Sequence, residues 1–143
     1  MPSLAPLLAS QLPHRWTALL LPVLVFSLTP SAAQAASLEG TWKGHWVGCT
    51  DGFKGTVHAR ITRCDATHYK AVFTGWAFKI MPYRYTSILI AHKDPATGHV
   101  HFRCTQKLPI WGCYWMKGTA TRCTFSARYH TDDHVGYFKM VRQ

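Results

Sequence analysis

After residue 35 the sequence consists of short segments in which apolar and polar residues alternate, separated by clusters of turn-forming residues. In the segment from Val57 to Thr62 the odd-numbered residues are apolar and the even-numbered residues are polar. A period of two places these sets on opposite faces of a β-strand, because successive strand side chains point to opposite sides. The pattern therefore predicts an all-β chain whose strands each bury one face.

Eight such segments are predicted to be strands. The connections between them are short, so consecutive strands should pair antiparallel as a meander. Eight half-buried strands can bury their apolar faces in a closed up-and-down barrel, which we predict, or in a two-sheet β-sandwich, which is the alternative. The predicted strands cover residues 41–49, 56–64, 69–80, 85–93, 99–107, 111–117, 121–130 and 136–142.

The first predicted strand alternates large and small residues on one face, from Trp42 through Gly44 and Trp46 to Gly48. This alternation suits a tapering barrel interior, where an indole ring can lie over a neighbouring glycine. The third strand is apolar on both faces, which indicates an outer cover or pairing with another chain. If the interior retains a cavity, its ligand should be small and apolar or aromatic. The predicted ligand-binding residues are Trp42, Trp46, Trp76, Phe102, Trp111 and Trp115.

Residues 1–35 have the parts of a secretory signal peptide. His14 and Arg15 precede an apolar run over 16–28 that is shorter than the roughly 20 residues needed to cross a bilayer. Small residues then lead to an expected cleavage site after Ala35. An uncleaved N-terminal anchor is the alternative. We therefore expect a secreted or periplasmic protein with one β-barrel domain over 36–143, a length that supports a modest core.

All five cysteines lie after residue 35, in a chain expected to reach an oxidising compartment, so disulfides are predicted. A turn centred on residues 108–109 would place two of them opposite each other, and two more lie at the ends of adjacent predicted strands. The predicted pairs are Cys104 with Cys113 and Cys49 with Cys64, which leaves Cys123 as a buried thiol on the apolar face of its strand.

Three histidines, His92, His99 and His101, bracket the turn KDPATG. The predicted register brings these imidazoles together on one face, where they would suit a zinc or copper ion, with His58 or His130 as a further ligand. No Cys-x-x-Cys or His-Glu-x-x-His motif accompanies them, so a solvated polar face is the competing interpretation.

The predicted domain is strongly basic, because 15 of the 16 Lys and Arg residues lie after residue 35 together with all 6 Asp and Glu residues. Most of these cations lack an acidic partner, and their field should attract polyanions. Nucleic acid is not expected for an exported protein, and an anionic envelope polymer fits better. Solubility alone is the competing interpretation. The predicted polyanion-binding residues are Arg60, Arg103, Arg122 and Arg128.

The sequence Gly40-Thr41-Trp42, at the start of a barrel meander, resembles the calycin superfamily of lipocalins, fatty-acid-binding proteins and the avidin group. Arg142 lies near the end of the last predicted strand, where lipocalins place an arginine that packs over this tryptophan. The resemblance implies an up-and-down barrel in which Trp42 and Arg142 close one end and bind nothing.

Sequence signatures of catalysis are sparse. Glu39 is the single glutamate after residue 35, and Asp132 and Asp133 fall in a predicted turn, so two carboxylates across a cleft are not indicated. The sequence carries no Gly-x-Ser-x-Gly elbow, phosphate-binding loop or dinucleotide fingerprint. We therefore predict a non-enzymatic binding module without a cofactor. The alternative is a structural or envelope-associated protein with a filled core and a basic face for anionic glycans.

Overall fold

The computed structural model describes residues 36–143, which form eight antiparallel strands. In this part of the chain no helix has the length and apolar character needed to cross a membrane. The predicted signal peptide lies outside the described residues. The strands are β1 Gly40–Gly48, β2 Lys54–Arg63, β3 His68–Ala77, β4 Met81–Lys93, β5 Val100–Leu108, β6 Gly112–Ala120, β7 Thr124–His130 and β8 Val135–Arg142.

The strands form a closed barrel, because each pairs with the next along the chain and β8 pairs with β1. The closing register runs from Trp42 opposite Arg142 to Gly48 opposite Gly136. The predicted meander and barrel are confirmed, and the sandwich alternative is wrong. Several boundaries differ from the prediction by one to four residues. The largest shift is at the third connection, where β3 ends at Ala77 and β4 begins at Met81, since the intervening residues form a turn.

Inward-facing side chains fill the half of the barrel where β1 begins and β8 ends, which we call the closed end. The rings of Phe102 and Phe125 stack with centroids 4.5 Å apart, and the Trp42 ring lies 5.7 Å from Phe125. Leu38, just before β1, is fully buried and its carbonyl accepts a hydrogen bond of 2.9 Å from the Trp42 Nε1. Burial of each large side chain stabilises the fold by about 1.5–3 kcal/mol, so this half supplies much of the core energy.

The glycine between the two tryptophans of β1 is required where β1 meets β8. Gly44 lies opposite Met140, and a Cβ on Gly44 would collide with the Lys139 carbonyl and the Met140 Cα. Trp46 faces a second glycine, Gly55 on β2, where a Cβ would collide with the indole. Glycine is therefore required at both positions, because Gly44 leaves room for the β8 backbone and Gly55 leaves room for the Trp46 ring.

Arg142 closes this end of the barrel over Trp42, as predicted. The guanidinium carbon lies 4.2 Å from the centroid of the indole ring. Its Nε donates a hydrogen bond of 2.7 Å to the carbonyl of Arg122, and its two terminal nitrogens donate to the carbonyls of Glu39 and Ser37. One side chain thus ties β8 to the β6–β7 connection and to the segment before β1.

The predicted disulfide between Cys104 and Cys113 is wrong because the turn between β5 and β6 is centred on Ile110. Lys107 therefore lies opposite Cys113, and Cys104 lies opposite Met116. Cys104 is buried in the interior whereas Cys113 is exposed. The two sulfur atoms are on different faces of the barrel wall, which no disulfide geometry can bridge.

The predicted pair of Cys49 and Cys64 is also wrong. Cys49 follows β1 and Cys64 follows β2, and the antiparallel pairing of these strands places the two residues at opposite ends of the barrel. At about 3.3 Å per residue, the ten residues of β2 separate them by roughly 30 Å. Cys123 is exposed in the β6–β7 connection rather than buried, and all five cysteines are free.

We expect native protein to react with iodoacetamide at four cysteines and at the fifth, Cys104, only after unfolding. Burial raises the pKa of the Cys104 thiol to about 11, so its reactive thiolate is scarce, whereas the other four are exposed. Intact mass after alkylation without reductant measures the number of additions. A Cys104–Cys113 or Cys49–Cys64 peptide in a disulfide map would contradict the register.

Candidate functional site

The opposite end of the barrel, which we call the open end, contains a cavity of about 130 Å³. Inward-facing residues near this end of the strands form its wall, and the small side chains of Ala77 and Thr131 leave part of the space unfilled. The lining includes eight aromatic side chains: Trp46, Phe78, Tyr83, Tyr85, Trp111, Tyr114, Tyr129 and Phe138.

Tyr85 on β4 organises the aromatic wall. Its ring stacks on Phe73 with centroids 5.1 Å apart and meets the rings of Tyr114 and Trp111 edge to face, at 5.7 and 6.5 Å. Its hydroxyl lies 3.3 Å from that of Tyr114, which is also 3.4 Å from the Met116 sulfur. These contacts fix the ring orientations in geometries that aromatic pairs prefer, so the wall is preorganised.

The polar groups at the cavity are mostly neutral. Burial raises the pKa of Tyr83, Tyr85 and Tyr114 above the ordinary phenol value, and it raises the pKa of Tyr129 to about 12. The Trp46 Nε1 is buried and has no hydrogen-bond partner among the described residues. The cavity wall therefore carries uncharged tyrosine hydroxyls at neutral pH.

One acidic and one imidazole side chain also line the cavity. The Asp51 carboxylate lies 3.2 Å from the His134 Nδ1, at an angle too poor for a hydrogen bond. Among the described residues no hydrogen bond joins the imidazole to a nucleophilic side chain. The pair can bind a polar group of a ligand.

The mouth of the cavity is rimmed by exposed apolar side chains on three connections. Phe53 follows β1 and meets Phe78 edge to face with centroids 4.6 Å apart, and Ile80 and Ile110 are 80% and 82% exposed. Phe78 and Lys79 both have positive φ, at 54° and 63°. Hairpin turns with two consecutive positive φ angles ordinarily carry Asn-Gly at these positions. This uncommon backbone holds the Phe78 ring at the opening.

The structure brings only two of the six predicted ligand-binding residues, Trp46 and Trp111, to the cavity. Trp42 and Phe102 point inward but belong to the packed closed half. Trp76 and Trp115 point outward and are 49% and 41% exposed, so their prediction as interior residues is wrong. The inward-facing residues of β3 are odd-numbered and those of β6 are even-numbered, so Trp76 and Trp115 fall on the outer faces of their strands.

None of the cavity tyrosines was among the predicted ligand-binding residues. Tyr83 and Tyr85 lie two residues apart on β4, in a part of the chain predicted as turn and strand start, and Tyr114 and Tyr129 lie on β6 and β7. The spacing of Tyr83 and Tyr85 by two residues was the available signal. The incorrect start of the fourth predicted strand concealed it.

The three histidines predicted to bind a metal ion do not converge. His92 lies opposite His101 with ring centroids 5.5 Å apart. The His99 carbonyl instead accepts a hydrogen bond from the Asp94 N–H across the β4–β5 connection. The further candidates, His58 and His130, lie on β2 and β7, neither of which borders the β4–β5 pair. Within residues 36–143 no group of three metal-ligating side chains is found.

The four arginines predicted to bind polyanions are exposed but do not form one patch. Arg60 is on β2, and two strands lie between it and the nearest strand that carries one of the others. Arg122 is in the β6–β7 connection at the closed end. Arg103 and Arg128 lie on β5 and β7, with Lys117 of β6 between them.

The chain matches no protein-family model and no curated protein. Its fold is similar to a de novo designed fluorescence-activating β-barrel, with a TM-score of 0.54 and 16% identity over 73% of this chain and 92% of that one. It is also similar to a redesigned β-barrel, mFAP1, bound to DFHBI, with a TM-score of 0.56 and 17% identity over 74% and 94% of the two chains. At such identities the likeness establishes the fold alone.

Proposed function

We propose that this protein is an exported, non-enzymatic binding module that holds a small aromatic molecule in the open half of its barrel. The observation that carries the proposal is the cavity of about 130 Å³ with an aromatic wall. An apolar cavity of about 150 Å³ accommodates benzene, whereas drug-sized ligands occupy roughly 300–1,000 Å³. The magnitude favours a ligand with a single ring.

The polar groups narrow the chemistry of this ligand. The neutral tyrosine hydroxyls around the cavity can exchange hydrogen bonds with a ligand, which favours a ligand that carries an oxygen atom. The raised pKa values of the surrounding phenols keep them neutral, so they provide no fixed charge for an ionic ligand. A one-ring compound with a carbonyl or hydroxyl oxygen fits these groups best.

Two further observations support the proposal. The redesigned barrel mFAP1 has a structure bound to DFHBI, so a barrel of similar fold can hold a ligand. The stacking of Arg142 on Trp42 agrees with the arrangement that a calycin-like barrel would have at its closed end. Membership of the calycins and export to the periplasm or medium both belong to this proposal. Intact mass of the exported protein tests this expectation, because cleavage after Ala35 gives a chain that begins at Ala36.

We expect tryptophan fluorescence to change saturably when one-ring aromatic carbonyl or hydroxyl compounds are added, and to remain flat with two-ring analogues of the same polarity. Trp46 and Trp111 line the cavity and report its occupation. The response should shrink in a Trp46→Phe variant, whereas Trp76→Phe, on the outer wall, is the matched control.

A flat response across the whole one-ring panel would contradict the binding proposal. The rival function would then be favoured, namely a structural or envelope-associated protein whose interior is occupied by its own side chains.

A further inference from the structure

Three cations lie directly opposite one another on adjacent strands of the barrel wall. Arg103 on β5 pairs with Lys117 on β6, which in turn pairs with Arg128 on β7. All three are exposed, and their neighbours along each strand point into the barrel. Opposed residues of antiparallel strands have Cα atoms about 4.5–5.5 Å apart, so these three residues, called the basic row below, extend roughly 10 Å.

No carboxylate of the described residues neutralises the basic row. Within 36–143 the acidic residues all lie in connections or just before β1, and none lies in a strand. The only carboxylates in this range that lie close to a basic side chain are Asp65 and Asp51, which contact His68 and His134. Like charges directly opposite each other weaken a sheet. The basic row therefore costs stability that the described contacts do not offset, as expected of a site completed by an anionic partner.

Aromatic side chains border the basic row on two sides. Trp115 precedes Lys117 by two residues on the same outward face and is exposed. On β8, Tyr137 lies opposite Arg128, and the Lys139 ammonium lies 5.4 Å from the Tyr137 ring centroid. A flat indole surface and an additional cation thus adjoin the three charges.

We propose that the basic row and Trp115 bind an anionic polysaccharide. Sulfate or carboxylate groups along such a polymer pair with successive cations across the strands, while the apolar face of a sugar ring packs on the indole. Single-stranded nucleic acid is less suited, because its binding uses several aromatic side chains on which successive bases stack. This surface lies outside the barrel and does not depend on a ligand in the cavity.

Heparin-affinity measurements on the full chain test this assignment with two triple variants of equal charge. The first replaces the basic row, and the second replaces three exposed cations of β2–β4 that are not directly opposite one another. The variants are Arg103→Gln/Lys117→Gln/Arg128→Gln and Arg60→Gln/Lys70→Gln/Arg84→Gln. Heparin affinity is expected to fall on the order of tenfold to hundredfold in the first and to stay within about threefold in the second.

Single substitutions separate binding from folding. Lys117→Gln is expected to weaken heparin binding several-fold and to raise the thermal midpoint, because it relieves repulsion from both neighbours. Trp115→Ser should weaken binding without changing its salt dependence, since no charge is lost.

Three results would overturn the proposal. If wild-type protein is not retained on heparin at low salt, the surface does not bind an anionic polysaccharide. Equal losses of heparin affinity in the two triple variants would show that net charge alone attracts polyanions. Displacement from heparin by oligo(dT) as effective as by free heparin of equal charge would assign the basic row to nucleic acid instead.

Discussion

Replacement of Arg142 by methionine is expected to lower the free energy of unfolding by about 3–5 kcal/mol. The guanidinium donates hydrogen bonds to the carbonyls of Arg122, Glu39 and Ser37 and stacks on Trp42. Hydrogen bonds with a charged partner contribute about 1.5–3 kcal/mol each and a cation–π contact about 0.5–2 kcal/mol, and the sum is reduced because the contacts act together. Methionine keeps most of the apolar stem, so the loss of stability reports the contribution of the guanidinium group. Urea unfolding measures the free energy of unfolding of both proteins.

Two controls make this expectation specific. Arg128→Met removes the same atoms from the exposed wall and should change stability by less than about 0.5 kcal/mol. Arg142→Lys keeps the charge but loses the planar donor group, so its stability should fall between wild type and Arg142→Met. If Arg142→Met and Arg128→Met unfold at the same urea concentration, the closed end does not depend on this side chain.

Enlarging Ala77 to leucine is expected to weaken binding of one-ring aromatic compounds tenfold or more while leaving the fold at least as stable as wild type. Ala77 is buried and lines the open cavity of about 130 Å³, so the added methylene and methyl groups occupy empty space and compete with the ligand. The same change at Ala71, fully buried in the packed half, should cost about 1–3 kcal/mol through overpacking. Fluorescence titration and urea unfolding of both variants give the two readouts.

The matched pair tests the cavity independently of any ligand. Equal destabilisation by Ala77→Leu and Ala71→Leu would show that both halves of the barrel are filled, which contradicts the cavity. Unimpaired binding by a stable Ala77→Leu variant would place the ligand elsewhere on the protein.

The sequence by itself determined the architecture of this protein. The alternation in segments such as 57–62 identifies a β-strand and shows which of its side chains point inward, because a period of two leaves one face apolar. Short connections make consecutive strands antiparallel neighbours, and the pairing of β8 with β1 then decided for the barrel over the sandwich. The contact of Trp42 with Arg142 was also predicted, as what the resemblance to calycins implies.

Tertiary structure alone decided the register and the site. Trp76 and Trp115 lie in strands with large side chains on both faces, so local alternation could not assign them, and a shift of one residue reverses the facing of a strand. The β5–β6 turn is centred on Ile110, and that small offset separated Cys104 from Cys113. The cavity and the basic row depend on which residues of different strands come side by side. Pairing across strands sets these neighbours, and no pattern within one strand encodes them.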